Sequence, residues 1–405
     1  MSDDLQEGIY FRHGERPGNC WRLLMLNIAD NATPEDARDA IAKVWAMLTR
    51  LREGIIGDLN PAQPRPDDPS PVAVPSGDLT CLIGYGARLF NLSVHPLPLV
   101  RNAPRPPLLT AFRTVGPNTP FRNLNWAPPE DRQHQDTDII IQFIANTELA
   151  VNRAIVEVSK LISEQGLPLR IVTFFAGFNR DDRRSWIDFH DGINTMRPEQ
   201  RQVVIELTDN MDIPWLLGGT FLAFLRCQVD LSVWRGLPRE QQEFMVGRDK
   251  LTGCPLVSVT TLADGTPVGE KMIGCPMTGT IPNPPPQGYI DPITPADPLL
   301  RASHIHRANV NRTADPREHS ANRVYRQGYE FLECRPDGRL ALGLNFVSFQ
   351  FDPGRVTDIL TQPEWLGLVN FGGNPPSARI LSLLAGGYYA VPPKAEPFPG
   401  AVLFD

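Results

Sequence analysis

Two stretches of this chain combine residue types that can do chemistry. The first is Trp186-Ile187-Asp188-Phe189-His190-Asp191-Gly192-Ile193-Asn194. It sets a carboxylate, Asp191, before a glycine, in apolar company from Trp186, Phe189 and Ile193. A carboxylate before glycine is an ordinary turn signal. Apolar surroundings also raise a carboxyl pKa toward the range useful for moving protons, so both readings stand. The second stretch is Ser303-His304-Ile305-His306-Arg307-Ala308-Asn309, a histidine among apolar and basic residues. A lone histidine is often a hydrogen-bonded structural group. His304 and His306 are spaced as a metal pair can be, but no acidic or cysteine cluster accompanies them, so a bare metal site is not indicated. A single axial imidazole is all that some metal cofactors take from a protein. Together the two stretches could hold the two faces of one such cofactor.

Regular elements must position these residues. Residues 22–28 form a short apolar run that predicts a buried strand. Thr33 is placed to cap a helix with Pro34 in its first position and Glu35 and Asp36 in its first turn. Ala37, Ile41, Val44 and Leu48 then mark one helical face. Residues 79–85 and 138–145 read as strands. Asn146 is placed to cap a second helix, with the stripe Val151, Ile155, Val158 and Ile162 and an end at Gly166. Residues 169–175 form a further strand leading to the first reactive stretch. Strands over 219–229, 341–351 and 385–391, and helices over 238–246 and after Pro353, repeat the theme. Two proline-rich loops, 60–75 and 281–298, separate the elements. The pattern predicts an α+β fold of two ferredoxin-like domains, antiparallel sheets packed with helices, with a boundary between residues 210 and 211.

Bulk properties exclude several classes. A chain of 405 residues is long for one core. The net charge of −7 gives no basic footprint for nucleic acid and no polybasic membrane signal. The first residues carry no secretory leader, and no apolar run approaches the roughly 18 residues of a membrane helix. Cys20, Cys81, Cys227, Cys254, Cys275 and Cys334 are sparse and never at CxxC spacing. Reduced thiols in a cytoplasmic protein are therefore expected, and no zinc site. No tail for loading into a compartment is evident after the last strand, and oligomeric state is not readable.

Two family resemblances follow from the motifs. Arg12-His13-Gly14-Glu15-Arg16-Pro17 resembles the RHGxRxP signature of histidine acid phosphatases, with His190-Asp191 as a second element. Its proline falls one residue early, and the run before it is short and polar. The other resemblance runs almost end to end, to the dye-decolorising peroxidases. Asp191-Gly192 matches the end of that family's Gly-x-x-Asp-Gly motif. Gly219-Thr220-Phe221-Leu222-Ala223 resembles its Gly-Thr-Tyr-Leu strand, with Trp234, Gly247 and Arg248 downstream. Ser303-His304-Ile305 with Asn309 resembles the proximal haem-ligand segment. Arg323-Val324-Tyr325-Arg326-Gln327-Gly328 resembles the segment of the distal arginine. Leu344 and Phe346 resemble the Leu-x-Phe pair of the distal pocket, and residues 386–393 the closing Gly-Gly-Tyr-Phe-x-Val-Pro-Pro. Asp188 stands where the family motif has its first glycine. This either alters the turn or adds a carboxylate on the distal side. Leu225 stands where an arginine often follows the strand, with Arg226 next to it, and strand alternation points these two to opposite faces.

The resemblance implies a peroxidase of the dimeric α+β barrel type that binds haem b, iron protoporphyrin IX. His304 would be the iron ligand, with Asp352 behind its other ring nitrogen. Asp191 and Arg326 would be the catalytic pair. Leu225 has no charge to offer a haem propionate, so Arg323 or Arg307 would meet it instead. Leu344 and Phe346 would keep the pocket narrow. The implied reaction reduces hydrogen peroxide and oxidises a small aromatic donor, such as a dye or phenol, through a high-valent state of the iron. Electrons would arrive by way of tryptophan or tyrosine residues, Tyr325, Tyr329 and Tyr388 among them. The alternative is a haem-binding protein of the same fold with weak or altered activity.

Overall fold

The computed structural model describes residues 4–11, 17–56, 72–100, 103–107, 109, 124–133, 136–191, 196, 200–209, 212–275, 295, 297–309, 323–335, 337–362 and 379–405. The first half contains β1 (Cys20–Ile28), α1 (Pro34–Arg52), the two-residue strands β2 (Ile55–Ile56) and β3 (Val72–Ala73), β4 (Thr80–Gly86), β5 (Ile139–Ala145), α2 (Glu148–Gln165), β6 (Leu169–Phe178) and α3 (Arg201–Val204). The second half contains β7 (Thr220–Val229), α4 (Leu231–Arg235), α5 (Arg239–Val246), β8 (Leu256–Thr261), β9 (Pro267–Lys271), α6 (Pro298–Arg301), α7 (His304–Ala308), β10 (Tyr325–Cys334), β11 (Leu340–Gln350), α8 (Gly354–Leu360) and β12 (Leu381–Val391).

Local chemistry sets the helix ends. Thr33 accepts from Asp36 N, and the Asp36 carboxylate reaches back to the Thr33 backbone, so two of the unpaired N–H groups of α1 are satisfied. Ala37, Ile41, Val44 and Leu48 are buried, as their spacing predicts. α2 begins one residue later than expected. Thr147, not Asn146, accepts from Ala150 N, while the Asn146 amide turns to Asp78. Gly166 ends α2 with φ of 59°, where a Cβ would be strained.

Eight strands close into one antiparallel barrel in the order β1-β5-β4-β12-β7-β11-β10-β6. The α+β class is as expected, but the two expected sheets are one closed sheet. Within each half the fourth strand lies beside the first, then the third, then the second. Pairing inside a half is long, as in the continuous ladder from Tyr325↔Phe349 to Cys334↔Leu340. The junctions between halves are short: β12 meets β4 at Tyr389↔Gly86 and Ala390↔Tyr85, and β10 meets β6 at Glu330↔Phe178. Trp21, Leu23, Ile140, Phe224, Tyr329 and Val347 fill the barrel, and α1 and α2 cover its outside.

Alternation along β7 separates Leu225 from Arg226 as expected. Leu225 pairs in register with Phe346 on the outer face. Arg226 points into the barrel and is fully buried. There it donates to Asn345 Oδ1 at 2.6 Å, pairs with Glu333 at 2.5 Å and lies 3.7 Å from the Phe331 ring centroid. Removing one partner of a buried pair leaves the other uncompensated, but Glu333 is 40% exposed and can turn to water. Arg226→Met is therefore expected to lower the unfolding free energy by about 2 kcal/mol, below the roughly 3–5 kcal/mol of a fully buried pair. Urea denaturation checks this, and a change below about 0.5 kcal/mol would mean the pair is no more than a surface one.

The expectation of reduced thiols is corrected. Cys254 and Cys275, 21 residues apart, form a disulfide at the base of the β8–β9 hairpin. Cys20, Cys81, Cys227 and Cys334 are free thiols. A lasting disulfide belongs to oxidising compartments, so the cysteines no longer support a cytoplasmic placement. Among the described residues, no helix is long and apolar enough to cross a membrane.

Candidate active site

β10 is the platform of the site. Tyr325, Gln327, Tyr329 and Phe331 alternate toward one side of the strand, and Arg326, Gly328 and Glu330 face the other. The register lines Gly328 up with Phe346 of β11 and Leu225 of β7, and Glu330 with Leu344 and Cys227. Leu344 and Phe346 are half-buried, so this outer face is an apolar shelf still open on one side. Arg326 is exposed at the end of the shelf.

Asp191 reaches this shelf from the loop after β6. Asp191 N donates to Arg183 O at 2.8 Å, and an isolated bridge joins Arg184 to His190. The Arg184 guanidinium binds Asp188 O, Lys250 O and Leu251 O and lies 2.8 Å from His190 Nε2, which fixes the loop. Gly328 has no side chain at the point of approach. A Cβ built on it would lie 3.6 Å from Asp191 Oδ2 and 3.2 Å from Leu344 Cδ1. The carboxylate therefore sits over the strand that carries Arg326. Asp188 takes a left-handed backbone conformation, with φ of 67°, a region aspartate tolerates better than most residues. Its carboxylate is about half exposed and lies 3.5 Å from Lys250 Nζ, so it adds no charge to the shelf.

α7 supplies the other side. Ser303 is its buried N-cap residue, and Asn309 Nδ2 donates to Ile305 O at 2.6 Å near its end. α5 ends at Gly247, φ 89°, where a Cβ would come within 2.6 Å of Ile305 Cγ1 and Ser303 Oγ. That close approach brings Arg248 beside His304. Enclosure by protein, and then the charges of Arg326 and Arg248, push the His304 imidazole down to about 4. At neutral pH the ring is uncharged and keeps a nitrogen lone pair, the form that ligates a metal. Arg307 is one turn along α7. Its Nε is buried with no hydrogen-bond partner among the described residues.

This donor set fits a haem. A neutral imidazole, an apolar shelf with Leu344 and Phe346 half-buried, and an arginine with an unanswered donor suit the iron, the macrocycle and an anionic propionate in turn. The other expected residues have contacts of their own. Arg323 offers its carbonyl to Arg355 Nη1 at 2.9 Å. Asp352 is buried and accepts from Gly354 N at 2.8 Å, in the field of Arg355. Tyr388 is buried and shares a 3.0 Å hydrogen bond with Thr357 Oγ1, and Tyr329 is buried inside the barrel against Trp21. Sequence reasoning assigns no role to Arg248 or Glu330. Burial, and then the nearby Asp191, push Glu330 up to about 8. Residues 12–16 and Gly192 lie outside the described residues, as does most of the second proline-rich loop.

Comparison with known proteins identifies the family and the fold. Deferrochelatases of Shigella flexneri serotype 5b and of Escherichia coli K12 are each 26% identical over 230 residues, 53% of this chain and 47% of theirs. The chain thus spans about half the length of the curated relatives it matches. The fold is shared with a DyP-type peroxidase from Streptomyces coelicolor (TM-score 0.68, 18% identity, 99% of this chain and 95% of that one). It is shared also with ferric DtpA from Streptomyces lividans (TM-score 0.67, 17% identity, 98% and 97%). A DyP-type peroxidase from Cellulomonas bogoriensis aligns with a TM-score of 0.63 at 22% identity over 99% and 96%. Residues 182–396, which carry Asp191, His304, Arg326 and the whole shelf, match the family described as Dyp-type peroxidase, C-terminal, and the chain belongs to that family.

Proposed function

We propose that this chain is a haem peroxidase that reduces hydrogen peroxide and oxidises small aromatic donors such as dyes and phenols. The observation that carries the reading is the grouping of Asp191, Arg326 and an uncharged His304 around one apolar shelf. His304 would ligate haem b, and Arg307 and Arg323 would meet its propionates. When bound, the haem supplies the electron transfer between donor and peroxide. Asp191 would take the proton from peroxide and return it to the leaving oxygen. Arg326 stabilises the negative charge that grows on that oxygen. Leu344 and Phe346 exclude water and bulky donors, so large dyes would give up electrons at the surface. Asp352 is assigned to the second ring nitrogen of His304, where carboxylates commonly steady a ligating imidazole.

We also infer that residues 1–210 and 211–405 are two ferredoxin-like halves whose sheets fuse into the barrel. The repeated fourth-first-third-second strand order supports this.

The test is the absorption spectrum of protein produced with added haem precursor, before and after one equivalent of hydrogen peroxide. A Soret band that shifts on addition is expected. A band indifferent to peroxide would leave a haem-binding protein without this activity. His304→Ala is expected to lose the band, since no other group is assigned to the iron. A variant that keeps a wild-type band would remove His304 as the ligand.

A further inference from the structure

The site holds a second acid that the proposed chemistry does not use. Glu330 shares the outer face of β10 with Arg326 and Gly328 and is 7% exposed. It stands at the barrel junction, paired in register with Phe178 of β6 and Leu344 of β11. Trp186 covers this corner. Its ring meets Phe178 edge-on at 6.2 Å, and the Arg180 guanidinium lies 4.7 Å from its centroid. The Trp186 backbone N–H donates to the Glu330 carboxyl group. Glu330 Oε2 is buried with no hydrogen-bond partner among the described residues. Asp191, from the same loop as Trp186, holds Oδ2 over Gly328, two residues along the strand.

Two features make a doubly ionised pair unfavourable here. A buried carboxylate with an unpaired oxygen is poorly solvated, and two carboxylates at one site repel. The charged groups facing Glu330 are Asp191, Arg180 and Asp182. Arg180 is already engaged in a fork with Asp182, Nε to Oδ1 at 2.9 Å and Nη2 to Oδ2 at 2.6 Å. Its attraction for Glu330 is thereby offset by the carboxylate it holds. Phe178 and Leu344, from the flanking strands, bring no charge. One proton on the pair removes both penalties.

We propose that Glu330 and Asp191 form a carboxyl pair holding one proton, which Glu330 keeps as the positioning residue beside Asp191. This rests on the reading of Asp191 as the acid–base group. The catalytic proton is borrowed from peroxide and returned by Asp191, so Glu330 neither gains nor loses one per turnover. Its protonated state keeps a further carboxylate charge away from the Asp191 position over Gly328. As pH rises through the titration of Glu330 near 8, a second negative charge appears beside Asp191. Repulsion then drives that carboxylate off its position.

The haem-loaded full chain tests this in two ways. Infrared difference spectra across pH 6 to 10 are expected to show a protonated carboxyl band that titrates away near pH 8 and is missing in Glu330→Gln. Wild-type kcat/KM for hydrogen peroxide is expected to fall by about tenfold per pH unit above that point. Whatever its rate at pH 6, Glu330→Gln is expected to lose this alkaline limb. A wild-type protein without a carboxyl band titrating there overturns the pair, and needs no variant to fold. An alkaline limb unchanged in Glu330→Gln overturns it too. The two readings fail separately. The band in a protein inert to peroxide leaves the pair standing and removes the peroxidase; turnover without the band does the reverse.

Discussion

Asp191→Asn is expected to keep haem and its Soret band but to react with hydrogen peroxide at least about 100-fold more slowly, the ordinary loss when a positioned general base is removed. The substitution preserves shape, so the contact with Gly328 and the loop held by Arg184 should survive. What disappears is the ability to accept a proton. Arg326→Leu is expected to slow the same step by a similar factor, about 100-fold or more, because charge at the leaving oxygen is no longer stabilised. The loop provides its own control. Asp188 is three residues away, also an aspartate, and turned toward Lys250 and solvent. Asp188→Asn is expected to leave the rate within about threefold, as for a surface charge. Stopped-flow mixing with one equivalent of peroxide separates the two. A slow Asp188→Asn beside a fast Asp191→Asn would exchange their roles.

The resemblance behind that assignment rests on short stretches of sequence. The Asp-Gly turn, the Ser-His-Ile segment and the Leu-x-Phe pair are each a few residues long. The capping of α1 and the Leu225–Arg226 split were readable for the same reason. β10 was harder. Its outward positions are Arg326, Gly328 and Glu330, so the strand lacks an apolar outer face, and its period-2 signal lies in the inward Tyr325, Gln327, Tyr329 and Phe331. Closure of the barrel left no signal, because junctions of one or two residue pairs carry no pattern. The disulfide was missed because its cysteines meet only when the β8–β9 hairpin folds between them. Glu330 was invisible for a related reason. Its immediate neighbours Tyr329 and Phe331 are apolar but face the other side of the strand; the burial comes from β6 and from the Trp186 loop.

The burial of Glu330 should also be readable in stability, without peroxide or haem. Its carboxyl is raised from 4.5 to about 8 on folding. Between those values the folded chain holds a proton that the unfolded chain has released, so stability falls as pH rises through the window. His304 works in the opposite direction. Its imidazole is lowered from 6.5 to about 4, so folding releases a proton there and stability rises with pH over that range. The two slopes oppose each other below pH 6.5. Above it the unfolded imidazole gives up its remaining half proton, so the opposition fades within about a pH unit. At 1.36 kcal/mol per pKa unit, with Glu330 half titrated at pH 8, the haem-free protein is expected to lose about 1 kcal/mol of unfolding free energy between pH 6.5 and 8. Glu330→Gln should remove most of that loss, because the amide has no proton to release. It should also be the more stable protein at pH 8, where the wild type begins to hold a buried charge. Urea denaturation midpoints at pH 6.5, 7.3 and 8 for both proteins decide the matter. A wild type flat across this range, or a variant that falls in parallel, would mean that this corner tolerates an ionised Glu330. Its neutrality at the working pH would then have no energetic basis.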